Sequence, residues 1–121
     1  MWGMWRVLVL EDDFLQGEHV CDLLLGEGME PLGPVATAEA AVELLDTTTV
    51  DAAILDIRLQ NSLCFKVARA LVQRQIPFLF LTGSVQEVVP AEFRAVPLLF
   101  KPFEAERLFE LLRDLFPAQT P

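Results

Sequence analysis

Residues 50–58, VDAAILDIR, decide how this 121-residue chain folds. Val50, Ala52, Ala53, Ile54 and Leu55 make a short, nearly unbroken apolar run, the pattern of a strand buried on both faces of a parallel sheet. The run stops at Asp56. In an open α/β sheet, ligands collect in the crevice at the carboxyl ends of the strands, so an acid at that place is a candidate reactive group. Alone it would be an ordinary solvated carboxylate. Its meaning depends on what the other strand ends carry.

On the N-terminal side, WRVLVL at 5–10 is another strand-like run, ending at Glu11, Asp12 and Asp13. Apolar residues recur at helical spacing over 14–25, through Leu15, Cys21, Leu24 and Leu25, until Gly26 and Gly28 supply stop signals. Residues 29–36 contain Leu32 and Val35 but also Gly33 and two prolines, whose missing N–H donors confine the segment to a short edge strand. Thr37 is a natural N-cap for a helix containing Glu39, Ala40, Ala41, Val42, Leu44 and Leu45.

On the C-terminal side, a loop over 57–62 leads to a third helix whose buried face is read as Leu63, Cys64, Val67, Ala68, Leu71 and Val72. Pro77 opens a buried strand at 78–81, which ends at Thr82 and Gly83. Within 84–96, Val85, Val88 and Val89 hint at a helix that Pro90 interrupts, so the fourth helix is expected to be short, weak or mobile. Residues 97–100 form a fifth short strand ending at Lys101. Leu108, Leu111, Leu112 and Leu115 then stripe a last helix that Pro117 ends.

Five strand–helix alternations predict an α/β, flavodoxin-like fold, with a five-stranded parallel sheet in the order 2-1-3-4-5 and helices on both faces. Residues 1–121 read as one domain, with no output domain and no linker. Apolar runs stay well short of the roughly 18 residues that a membrane span needs. The N-terminus lacks a signal-peptide cleavage pattern, which points to the cytoplasm. A net charge of -9 is the wrong sign for holding a phosphate backbone, so nucleic-acid binding is not expected. Cys21 and Cys64 show no metal-ligand spacing and read as buried, reduced thiols. At 53% hydrophobic residues, with Trp2, Phe109 and Phe116 expected at the surface, the composition allows a homodimer or partner face.

The topology puts Glu11 and Asp12 beside Asp56, with Thr82 and Lys101 at the ends of strands four and five. Three neighbouring carboxylates repel, and a hard divalent cation relieves them; Mg²⁺, with its preference for oxygen ligands, fits better than Zn²⁺. The single histidine, His19, is expected on the surface of the first helix, away from the crevice. With a metal present, Asp56 could attack a phosphoryl donor and become an aspartyl phosphate. The Lys101 ammonium and the Thr82 hydroxyl would then hold transferring oxygens. Taken singly, the three acids could cap the first helix, Thr82 could mark a turn, and Lys101 could be solvated. Their joint placement at the ends of strands one, three, four and five is hard to ascribe to independent accidents.

The residues E-D-D at 11–13, L-D at 55–56, T-G at 82–83 and K-P-F at 101–103 resemble the response-regulator receiver domain of two-component signalling, in order and spacing along the whole chain. The resemblance implies that Asp56 takes phosphate from a histidine kinase or histidine phosphotransfer protein. It also implies that Asp12, Asp56 and the main-chain carbonyl of Arg58 ligate Mg²⁺, that Glu11 assists through water, and that the Lys101–Pro102 bond is cis. PFLFLTG at 77–83 is similar to the P-F-x-F-A-T-G strand of stand-alone receivers often paired with HWE-class kinases, with Leu81 where that group has Ala.

Three departures from the receiver pattern matter. Leu98 stands where most receivers carry an aromatic switch, so coupling must run differently, through the 84–96 segment. Gln60 and Cys64 replace the common Pro and Gly after the acceptor. The sequence stops at Pro121, so output is expected through contact with a downstream protein.

The leading expectation is a stand-alone receiver acting as phosphorelay intermediate, phosphate sink or phosphorylation-dependent partner: a signalling module rather than a metabolic enzyme. The alternative is a pseudo-receiver that is never phosphorylated and serves in docking or dimerisation. A flavin carrier of the same architecture would need hydroxyl and glycine N–H groups after the first strand, where this chain has three acids.

Overall fold

Strands and helices alternate through residues 5–116, the part of the chain that the computed structural model describes. In order they are β1 (Arg6–Leu10), α1 (Phe14–Gly26), β2 (Glu30–Val35), α2 (Ala38–Thr47), β3 (Ala52–Asp56), α3 (Phe65–Gln73), β4 (Phe78–Thr82), a 3₁₀ turn (Ala91–Phe93), β5 (Leu98–Phe100) and α4 (Ala105–Leu115). The strands pair in parallel in the order β2-β1-β3-β4-β5, the expected topology.

Side-chain alternation divides the core in two. Leu8, Leu10, Ala53, Leu55, Phe78 and Phe80 face α2, α3 and the 3₁₀ turn. Val7, Val9, Ala52, Ile54, Leu79 and Leu81 face α1 and α4. Because β3 and β4 are apolar on both faces, each can occupy only the middle of a covered sheet. β2, with its two prolines, lies at the edge, and its register against β1 shifts between Leu8 and Leu10. Gly33 occupies that irregularity at φ +122, where a Cβ would meet the Val9 carbonyl oxygen at 2.8 Å. The Gly33–Pro34 bond is cis.

Helix starts follow side-chain chemistry. Thr37 caps α2 by accepting from Ala40 N, and Asp13 caps α1 by accepting from Gln16 N, each at 3.1 Å. Asp13 alone of the three acids after β1 takes this role. The α1–α4 side of the core closes with the rings of Trp5 and Phe116 at 3.6 Å between centroids.

Several expectations need correction. The buried face of α3 consists of Cys64, Phe65, Val67, Ala68 and Leu71, while Leu63 and Val72 are exposed. The helix begins only at Phe65, Leu63 forms an isolated bridge with Arg58, and Val72 falls at the margin of the apolar face. Phe109 and Phe116, expected at the surface, are buried in the α1–α4 core. Trp2, Pro117 and Pro121 lie outside the described residues. The fourth helix, by contrast, is as short as expected: only a 3₁₀ turn follows Pro90, held by Phe93, whose ring lies 5.8 Å from both Phe65 and Phe80.

Both cysteines are buried free thiols, which burial pushes up to about 11 for Cys21 and about 12 for Cys64. Among the described residues, no helix is long and apolar enough to cross a membrane.

Candidate functional site

The sheet order places the ends of β1 and β3 side by side, and the site grows from those two ends. Glu11 follows β1 directly. Its amide donates to Val35 O at 2.9 Å, and its side chain turns inward, leaving the residue 2% exposed. Asp56 ends β3 and is 6% exposed. Oxygens of Glu11, Asp12 and Asp56 all lie within 4.8 Å of one another.

Lys101 reaches both buried acids. Its Nζ donates to Glu11 Oε1 at 2.8 Å and to Asp56 Oδ2 at 2.7 Å. It is positioned by its own amide, which donates to Thr82 O at 2.8 Å and fastens the end of β5 to that of β4. The following Lys101–Pro102 bond is cis, as the resemblance implied. The Arg58 amide donates to Asp56 Oδ1 at 3.1 Å, so both carboxylate oxygens are engaged by donors. Thr82, buried at the end of β4, donates to Ser84 O at 3.3 Å and accepts from Ser84 N at 3.2 Å. Its hydroxyl is therefore held by the loop that follows it.

The charges do not balance. Burial first, and the neighbouring Asp56 second, push Glu11 up from its ordinary 4.5 to about 7, against the pull of Lys101 and of Asp13 N. Burial opposes the Lys101 charge, but its bonds to Asp56 and Glu11 outweigh that and raise its pKa. One ammonium among three acids leaves net negative charge in an all-oxygen donor set. That chemistry fits a hard divalent cation such as Mg²⁺.

All five expected side chains, Glu11, Asp12, Asp56, Thr82 and Lys101, thus stand at the carboxyl edge of the sheet, and Arg58 adjoins through its main chain. His19 is exposed, as expected, yet it is closer to the crevice than expected. It lines a cleft of about 490 Å³ with Leu15, Val20, Leu81 and Phe103, a cleft that Glu11 and Lys101 also line. Its ring lies 6.1 Å from that of Phe103.

One residue gave no sign in the sequence. The Glu87 side chain is 4% exposed and accepts from Arg58 Nε at 2.8 Å. It sits in the irregular stretch before Pro90, 29 residues from its partner, so only the fold brings the two together.

The model of the response regulator receiver domain matches residues 7–113, and the chain belongs to that family. A curated relative, the sensory transduction protein LytT of Bacillus cereus, is 31% identical over 114 residues, covering 91% of this chain and 46% of LytT. The chain therefore spans about half the length of the curated relatives it matches.

Among solved structures, SdrG from Sphingomonas melonis Fr1 is 34% identical with a TM-score of 0.83, covering 93% of this chain and 96% of SdrG. The receiver domain of the sensor histidine kinase PA1611 from Pseudomonas aeruginosa, described with a magnesium ion coordinated in its active-site cleft, is 21% identical. Its TM-score is 0.77, covering 93% of this chain and 97% of that one, and at that identity it bears on the fold alone.

Proposed function

We propose that this receiver accepts a phosphoryl group on Asp56 from a histidine kinase or histidine phosphotransfer protein and signals through the change that follows. The observation that carries this reading is the pair of hydrogen bonds that Lys101 Nζ donates to Asp56 and Glu11, which fixes an ammonium beside a buried strand-end carboxylate. The Asp56 carboxylate attacks phosphorus, the new P–O bond forms as the P–N bond to the donor imidazole breaks, and the imidazole nitrogen leaves with the electron pair. Lys101 neutralises charge on the transferring oxygens. Thr82 turns its hydroxyl from Ser84 O to one of those oxygens, and the Arg58 amide keeps the carboxylate oriented. Asp12, Asp56 and the main-chain carbonyl of Arg58 would hold Mg²⁺, with Glu11 assisting through water, and the ion would supply the remaining positive charge.

Output runs through protein contact, as relay intermediate, phosphate sink or phosphorylation-dependent partner. Incubation with Mg²⁺ and acetyl phosphate tests the reading. Intact mass should rise by one phosphoryl group, and Asp56→Asn should abolish the gain. A folded wild type with unchanged mass would reject it.

A further inference from the structure

Receivers usually relay phosphorylation through an aromatic residue that Leu98 replaces here, and the structure offers a different route. Arg58, two residues after Asp56, is anchored to the acceptor by its amide and to Glu87 by its guanidinium, through Nε at 2.8 Å. The two ends of that ion pair differ. The Arg58 side chain is 70% exposed, whereas that of Glu87 is 4% exposed in a loop whose neighbours Val85 and Val88 are 84% and 80% exposed. One buried carboxylate thus pins an otherwise solvated segment.

A second tie runs from the same site. Thr82 Oγ1 exchanges hydrogen bonds with Ser84, Ser84 Oγ accepts from Gln86 N, and Ser84 O accepts from Glu87 N at 3.4 Å. The first tie ends on the amide bonded to Asp56, the second on Thr82 at the end of β4, the strand paired with β3.

We propose that Arg58 and Glu87 form a charge latch that phosphorylation of Asp56 opens. The inference rests on the phosphoacceptor reading and adds how the state of that site reaches the surface. A phosphoryl group at Asp56 brings close to two negative charges within reach of the Arg58 side chain. It also draws the Thr82 hydroxyl off Ser84. Arg58 exchanges a single carboxylate for the stronger anion, and Glu87 is left buried, unpaired and facing added negative charge. A buried carboxylate without its partner cannot stay. Glu87 moves to solvent and carries residues 84–90 with it, so that Val85 and Val88 are presented differently in the two states.

Hydrogen–deuterium exchange over residues 84–93, with ¹⁹F NMR reporting bound beryllofluoride, tests the latch. In wild type, Mg²⁺ and beryllofluoride should speed exchange about tenfold, the loss of one charge-assisted hydrogen bond. Glu87→Ala should reach that rate without beryllofluoride and respond no further when it binds. Bound beryllofluoride with unchanged exchange in wild type overturns the latch and leaves the phosphoacceptor reading intact. So does a Glu87→Ala protein that exchanges like free wild type. No bound fluoride signal overturns both.

Discussion

Glu11 is a carboxylate almost out of water beside Asp56, and its protonation ties stability to pH. Because burial and Asp56 raise it to about 7, the folded state keeps a proton that the unfolded chain releases near 4.5. Its contribution is therefore complete below pH 4.5 and is lost as pH climbs through 7, on the order of 3 kcal/mol. Urea unfolding in EDTA should show stability falling over that window, and Glu11→Gln should flatten the slope. Mg²⁺ should bind more weakly at pH 6 than at pH 8 by titration calorimetry, since the same proton competes with the ion.

Residue identity alone disclosed much of this site. Asp56 and Thr82 end strands, and Glu11, Asp12 and Lys101 come just after strand ends, where the chain must turn and an apolar run must stop, so their positions could be read from hydropathy. Side-chain pairing could not. That Asp13 caps α1 while Glu11 turns inward, or that Glu87 is buried on Arg58, depends on rotamers and on loop geometry that no periodicity encodes.

At the level of elements, two close contacts govern how the site is supported. Gly17 lies at the end of the first turn of α1, where Ala would ordinarily gain up to about 1 kcal/mol, but a Cβ there would sit 2.5 Å from Pro34 Cβ and 3.5 Å from Glu11 Cβ. Gly17→Ala should instead destabilise by about 1–3 kcal/mol, as crowding of α1 against β2 outweighs helix propensity; thermal melts check the sign. Phe93 is the single large side chain that seats the 3₁₀ turn, packed among Phe65, Phe78 and Phe80. Phe93→Ala should cost about 3–5 kcal/mol in urea unfolding. Val88→Ala, five residues away but exposed, should stay within about 0.5 kcal/mol.

Elements with strong periodicity were legible: β3 and β4 by their apolar runs, α1 and α2 by their caps and spacing. That Pro90 leaves at most a short helix in 84–96 was legible too, but the seating of the remaining 3₁₀ turn by Phe93 was not, because it depends on packing against Phe65 and Phe80. The face of α3 was misjudged at both ends. Leu63 and Val72 match the helical period, but the helix does not reach the first, and the second falls at the edge of the contact.

For the whole molecule, order and alternation of elements fixed the sheet, and the sheet fixed which residues meet. Phe109 and Phe116 were misplaced because a sequence gives no view of where α4 folds back; both complete the α1–α4 core against Trp5 and its neighbours. The surface left apolar lies elsewhere, at Phe14, Leu15, Val85 and Val88 among others. Divalent binding should register globally. Mg²⁺ at ten times its dissociation constant should add about 1.4 kcal/mol of stability, and Asp12→Asn should remove most of that gain in paired melts with and without EDTA.

The most direct measurement is to locate the phosphoryl group itself. After reaction with acetyl phosphate and Mg²⁺, borohydride reduction converts an acyl phosphate to the alcohol, and peptide mass spectrometry reads the position. Homoserine at position 56 is expected, absent when Mg²⁺ is withheld and lost in Lys101→Met. Conversion at Glu11, Asp12 or another acid, or at none in a folded and metal-loaded protein, would contradict the role assigned to Asp56.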